Sequence, residues 1–168
     1  IDLVQVIPGK EYGVMHRQNR SENEVVVVVK PWSDEKKPVL KEQYRKAIED
    51  YIEPYRLINT KVTVESARYA GICVHGKIAL EQNSPKTRKA VLERISRELS
   101  YTERNHPFGT VISYGQLFTA LENTEGVKKV LELNLERTGN AARKNDRGDV
   151  LLDADALGIL EGTDLEFC

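Results

Sequence analysis

The chain has 168 residues, a net charge of −1, a pI near 6.4, 40% hydrophobic and 30% charged residues. That length holds one or two small domains, and that apolar share can close a core. The balanced charge argues against the basic excess or stripe of a nucleic-acid-binding domain and of a polybasic membrane-surface protein. No apolar run reaches the ~18 residues of a membrane-crossing helix.

Residues 1–23 begin apolar and become polar, with a turn signal at Pro8-Gly9. They read as a connecting segment with one short strand over residues 3–7. Residues 24–30 hold five consecutive valines, Val25 to Val29. An unbroken β-branched run suits a strand covered on both faces, and Pro31-Trp32-Ser33-Asp34 ends it. The clearest helix spans 39–55. Leu40, Tyr44, Ala47, Ile48, Tyr51, Ile52 and Tyr55 recur at helical spacing, and charged residues take the other face. Pro54 marks its end.

Residues 61–66 alternate, with Val62 and Val64 inward, and lead to a second alternating strand over 72–80. There Ile72, Val74, Ile78 and Leu80 share a face, and Gly76 signals a bulge or a close backbone approach. A second long helix starts at Pro85, with Ser84 as its N-cap, and runs to Leu99 or a little beyond. Its apolar face is Val91, Leu92, Ile95 and Leu99.

His106-Pro107-Phe108-Gly109 reads as a turn, in which Pro107 sets φ, Phe108 packs and Gly109 permits an unusual backbone angle. A short strand over 110–112 follows. Ser113 and Gln116 form a Ser-x-x-Gln capping box, and Leu117, Ala120 and Leu121 line one face of a short helix that stops at Gly126. Leu131, Leu133 and Leu135 then alternate with polar residues in a half-buried strand. Residues 138–148 are a polar, basic-leaning loop without period, expected to be mobile, and a last strand falls over 164–167.

These elements predict an α+β fold of two small β-α-β-based subdomains. The boundaries are 1–23, the connecting segment; 24–68, the first subdomain; and 69–168, the second, ferredoxin-like with an extra short helix and strand.

Little here carries chemistry. His16, His75 and His106 have no metal-ligand spacing among themselves or with Cys73 and Cys168. Two cysteines in a chain this long argue against a disulfide framework. Cys73 and His75 lie two apart on a strand and share a face, which reads as half-exposed sheet. Asp149, Asp153 and Asp155 lack the Gly and closing Glu of an EF-hand and read as a solvated loop. Gly9-Lys10 and Gly13 do not make a phosphate loop. Tyr44, Tyr51 and Tyr55 pair apolar rings with polar tips, which suits a core boundary or a protein interface. No catalytic residue, cofactor or metal is predicted.

Two stretches resemble a known family. Pro107-Phe108-Gly109, a short helix, Gly126-Val127 and a leucine-alternating strand resemble the C-terminal part of baseplate J-like proteins. Tyr55-Arg56-Leu57-Ile58-Asn59-Thr60-Lys61-Val62-Thr63-Val64 is similar to that family's helix-to-strand junction. The tail, 149–167, is similar to its closing segment. The family's larger N-terminal portion is absent and no Met begins the chain, so Ile1 is expected to be a cut into a longer protein.

The resemblance implies a non-enzymatic wedge subunit of a phage-tail or contractile-injection-system baseplate. It implies other wedge and hub proteins as partners, synthesis in the bacterial cytoplasm and a final place in the particle. No nucleic acid and no membrane insertion are expected, and the isolated fragment should be monomeric or weakly associating. The structural and interface candidates are Tyr44, Tyr51, Tyr55, Pro107, Phe108, Gly109 and Gly126. Two rival readings are a nucleic-acid-binding ferredoxin-like module and a small enzyme domain with an unrecognised site. The first would need aromatics on its sheet face, where this chain is aliphatic. The second would need a deep pocket with perturbed titratable groups.

Overall fold

The valine run becomes the middle strand of a three-stranded sheet. In the computed structural model, which describes residues 1–101 and 107–168, the chain divides into two compact units, Ile1–Arg68 and Tyr69–Cys168. Both contain helices and strands, so the class is α+β, as expected.

The first unit contains β1 (Leu3–Pro8), α1 (Gly9–His16), β2 (Glu24–Lys30), α2 (Glu42–Ile52), a 3-10 turn (Glu53–Tyr55) and β3 (Lys61–Ser66), with sheet order β1-β2-β3. β1 runs antiparallel to β2, and β3 parallel to it. Thus β2-α2-β3 is the expected β-α-β crossover. Residues 1–23 differ from expectation, because they are built into this unit. β1 pairs along its whole length with β2, and α1 follows at once. α1 carries glycines at 9 and 13 and no clear apolar stripe, which hid it from periodicity. A Cβ on Gly9 would lie 2.5 Å from Glu24 Cβ, so this helix start approaches β2 closely.

Register sorts the side chains by face. Val4, Val6, Val27, Val29 and Val64 lie on one side, since Val4 opposes Val29 and Val6 and Val64 both oppose Val27. Leu40, Ile48 and Ile52 pack there against Val27, Val29 and Val64. The other side holds buried Ile7, Val26 and Val28. Arg20 bonds there to Thr63 and Glu65, and its guanidinium lies 4.9 Å from the centre of the Tyr12 ring.

The second unit contains β4 (Arg68–Leu80, its first residue at the unit boundary), α3 (Pro85–Leu99), β5 (Val111–Ile112), α4 (Tyr114–Glu122), β6 (Val127–Thr138), β7 (Ala142–Lys144), β8 (Val150–Leu152) and β9 (Ala156–Phe167). Its sheets are ordered β6-β4-β9 and β5-β8-β7. β6 is antiparallel to β4. β9 runs parallel to β4, as the ascending pairs His75 with Asp164 and Lys77 with Glu166 show. The expected second β-α-β and its ferredoxin-like sheet are therefore not the arrangement found: β5 pairs with β8 and leaves β4 to β6 and β9. A two-residue strand offers too few ladder bonds to reveal its partner from sequence.

Both helix starts are capped as expected. Ser84 accepts the Thr87 N–H at 3.2 Å, and Ser113 accepts the Gln116 N–H at 3.3 Å. Val91, Ile95, Leu117 and Leu121 join Ile72, Val74, Ile78 and Leu135 in the core. Leu92, expected inward, is exposed. Leu131 is exposed as well, for a visible reason. Lys77 opposes Glu132 and Ile78 opposes Val130, so Leu131 is the extra residue of a bulge. Gly76 makes the close approach its position implied, since a Cβ there would lie 2.4 Å from the Glu132 carbonyl oxygen.

The segment 138–148 is not an open loop. It holds β7 and a turn in which Asn145 Oδ1 accepts the N–H groups of Arg147 and Asp149. The last strand is far longer than four residues, starting at Ala156, and Leu157 within it is fully buried. The aspartates are not a solvated loop either. Asp155 is fully buried, and Asp149 accepts the Tyr114 N–H at 2.9 Å at the start of α4.

Candidate protein interface

α2 lies on the sheet with a rotation that its sequence does not announce. Its half-buried residues are Arg45, Ile48, Glu49 and Ile52. Its apolar residues, Tyr44, Ala47, Ile48, Tyr51 and Ile52, centre roughly 70–80° away around the helix axis. Glu49 explains the offset: its Oε1 accepts the Val64 N–H at 3.0 Å and draws that side of α2 onto β3. Leu40, just before the helix, is fixed to the same strand, its N–H bonded to Ser66 Oγ at 3.0 Å. α2 therefore covers the β2–β3 half of the sheet face and leaves the β1 half open.

The result is an apolar groove of about 730 Å³ between α2 and β1. Val27, Val29 and Leu40 form its floor, Val4 and Ile1 one wall, Trp32 an end, and Tyr44 and Tyr51 the other wall. Trp32 is 74% exposed, Tyr51 73%, Tyr44 56% and Val4 48%. Val6, beside Val4 on the same face, is 57% exposed. Uncovered aromatic and aliphatic side chains gathered into one concavity are the composition of a protein contact surface.

The tyrosines expected on α2 divide accordingly. None of the three is packed in the core, and all are exposed. Tyr44 and Tyr51 line the groove, while Tyr55 sits in the 3-10 turn, exposed, its ring 5.8 Å from that of Tyr51. The helical pattern over 39–55 merged a stripe that the structure splits between contact and exposure.

The other candidates lie in the second unit and serve its architecture. Pro107 is buried, its carbonyl accepting the Thr110 hydroxyl, and the Gly109 N–H bonds to the Ala156 carbonyl. Gly126, at φ +86°, receives the Glu81 N–H on its carbonyl. His106 lies outside the described residues. Sequence reasoning missed Val4, Val6 and Trp32. The available signal was a strand without a charged residue, Leu3–Pro8, and a lone tryptophan two residues past the end of β2.

Chemistry-bearing residues converge less. His75 stands on the outer face of β4 between Glu136 at 3.4 Å and Asp164 at 3.6 Å, with Cys73 two residues away on the same face. Among the described residues no group of three or more His, Cys, Asp or Glu side chains is placed to hold a metal, and no helix is long and apolar enough to cross a membrane. Asn145 and the Tyr114 amide hold the Asp149 carboxyl below its ordinary value by hydrogen bonding to its charged form.

No protein-family model matches the chain, and no curated protein matches it. Among solved structures it is similar to a chain in the cryo-EM structure of the anti-feeding prophage baseplate, 6-fold symmetrised. The match has a TM-score of 0.60 and 15% identity, and covers 84% of this chain and 29% of that one. At that identity the likeness is one of fold, and the chain spans less than a third of its neighbour's length.

Proposed function

We propose that this chain is a structural part of the baseplate of a phage tail or contractile injection system. In this reading it is a non-enzymatic wedge component of the baseplate J-like kind, working through contacts with other baseplate proteins. The single observation that carries the reading is the shared fold with the anti-feeding prophage baseplate chain over 84% of this sequence. The motif resemblance at Tyr55 to Val64 and at Pro107 to Leu135 points the same way. The uncovered groove supplies what a wedge component requires, a surface for a neighbour, with Tyr44 and Tyr51 in its lining and Tyr55 exposed beside Tyr51. The aspartates considered for metal binding serve structure instead, Asp149 at the start of α4 and Asp155 within the core.

The test is location. The full-length protein carrying an affinity tag is expressed with its native gene cluster, and the contractile particles are purified and imaged by electron microscopy with tag-directed gold. Gold at the baseplate end is the expected result. Particles without the tag, or with it along the sheath, overturn the proposal.

A further inference from the structure

The two edges of the first unit's sheet are treated differently. On β3, the edge amide of Val64 is taken by Glu49, and the preceding chain is bonded to Ser66. On β1, the Pro8 carbonyl opens α1 as its N-cap, and for Leu3 to Ile7 the described residues provide no backbone hydrogen-bond partner outside β2. Natural sheet edges are ordinarily protected by lysine, by an inward charge, by a bulge or by a covering element. β1 has none of these along Leu-Val-Gln-Val-Ile: no charge, no bulge in its pairing, and two exposed valines on its open face. Its one guard is Pro8, at the end of the strand. The unguarded edge borders the groove that α2 leaves open, because Val4 belongs to both.

We infer that β1 receives an extended segment of a partner protein as an added strand of this sheet. The segment's alternate side chains are apolar and lie beside Val4 and Val6, over the groove toward Trp32 and Tyr44. The backbone selects this occupant. A strand satisfies the outward N–H and C=O groups of β1, whereas a helix spends its own backbone groups internally and would leave them unbonded. The pleat then gives the sequence rule: every second residue apolar, with polar residues between them facing the opposite side. The groove lining carries no charged side chain, so the apolar positions of the segment are uncharged too. The inference deepens the assembly role proposed above and rests on it only for where the partner comes from.

The experiment uses the chain alone and so fails independently of the particle test. A capped peptide of about ten residues alternating valine and threonine, with lysine at each end, is titrated to ~1 mM. The controls are a peptide of the same composition in blocks and an amphipathic leucine-lysine helical peptide. Two readouts are followed: emission of Trp32, the chain's single tryptophan, and amide exchange along β1. The alternating peptide is expected to shift Trp32 emission to the blue and slow exchange at the outward β1 amides. Val4→Lys and Val6→Lys, both at exposed positions and checked for folding by circular dichroism, should each weaken it about tenfold or more. Binding of the helical peptide with no β1 protection, a homodimer in sedimentation paired through β1, or no response to the alternating peptide would each overturn the inference.

Discussion

Glu49 on α2 accepts the backbone N–H of Val64 on β3 at 3.0 Å. This one bond takes up an outward amide of β3 and ties α2 to that edge, with the tyrosine side of the helix turned away from the strands. A carboxylate bonded to a backbone amide contributes about 1.5–3 kcal/mol when partly shielded. Glu49→Ala should therefore lower the unfolding free energy by about 1–2 kcal/mol, and Glu49→Gln by less, since the amide oxygen still accepts. Denaturant melts of the three proteins check the order; equal midpoints would remove Glu49 as the anchor.

Asp149 gives a pH dependence with a defined sign. Its carboxyl titrates below the ordinary 3.8 in the folded chain, because Asn145 and the Tyr114 amide bond to the charged form. A depressed folded value means a contribution to stability that is complete above the unfolded pKa and lost as pH falls through the folded one. The difference in melting temperature between the native chain and Asp149→Ala should be constant from neutral pH down to about 4 and shrink below 3.8. A difference that grows on acidification would contradict the assignment.

Two isoleucines on comparable helix faces should differ. Ile95 on α3 is fully buried, so Ile95→Ala is expected to cost about 2–5 kcal/mol. Ile48, only half-buried beside the open groove, should cost about 1–2 kcal/mol when cut to Ala. Equal losses would mean that the groove is closed in solution.

Gly126 combines a left-handed backbone, φ +86°, with Thr87 Cγ2 at 2.6 Å from where a Cβ would stand. Gly126→Ala should destabilise by about 1–3 kcal/mol. Gly162, with nothing within 4 Å, is the control, and Gly162→Ala should stay within ~0.5 kcal/mol of the native chain. The comparison fails if both substitutions are silent.

The hairpin between β7 and β8 bears on how ordered the segment 138–148 is. Gly148 and Asp149 donate to Asn145, and Asp153 donates to the Ala141 carbonyl. Their amides should exchange more slowly than that of Gly139, a bend residue just beyond β6 that donates none of the backbone hydrogen bonds found in the described turns and loops. Uniformly fast exchange across the segment would show that the turn does not persist in solution.

Much of the fold is legible in residue patterns because the forces behind them are local. A serine before a helix caps it wherever the helix goes, so Ser84 and Ser113 hold the roles their spacing implies. Alternation in Ile72, Val74, Ile78 and Leu80 needs only one buried face to be true. The valine run states that β2 is central without naming its neighbours. Patterns misled where a distant partner set the geometry. Leu131 alternates with its neighbours yet faces out, because the register against β4 slips there. The stripe on α2 left its tyrosines at a core boundary or an interface, and a hydrogen bond from a strand residue fifteen positions away from Glu49 goes with their lying in the open.

The amino-acid sequence by itself determined most of the helices and strands, the serine caps of α3 and α4 and the α+β class, since propensity, periodicity and turn chemistry act over a few residues; α1, β7, β8 and most of β9 it did not. Only the tertiary structure decided that β5 leaves β4 for β8, that residues 1–23 complete the first sheet, and that β1 ends as an open edge beside a groove. Strand pairing joins residues far apart in the chain, and its energy lies in backbone groups that every residue carries alike. No single stretch of side chains therefore states which strand a neighbour will choose, or which edge will be left without one.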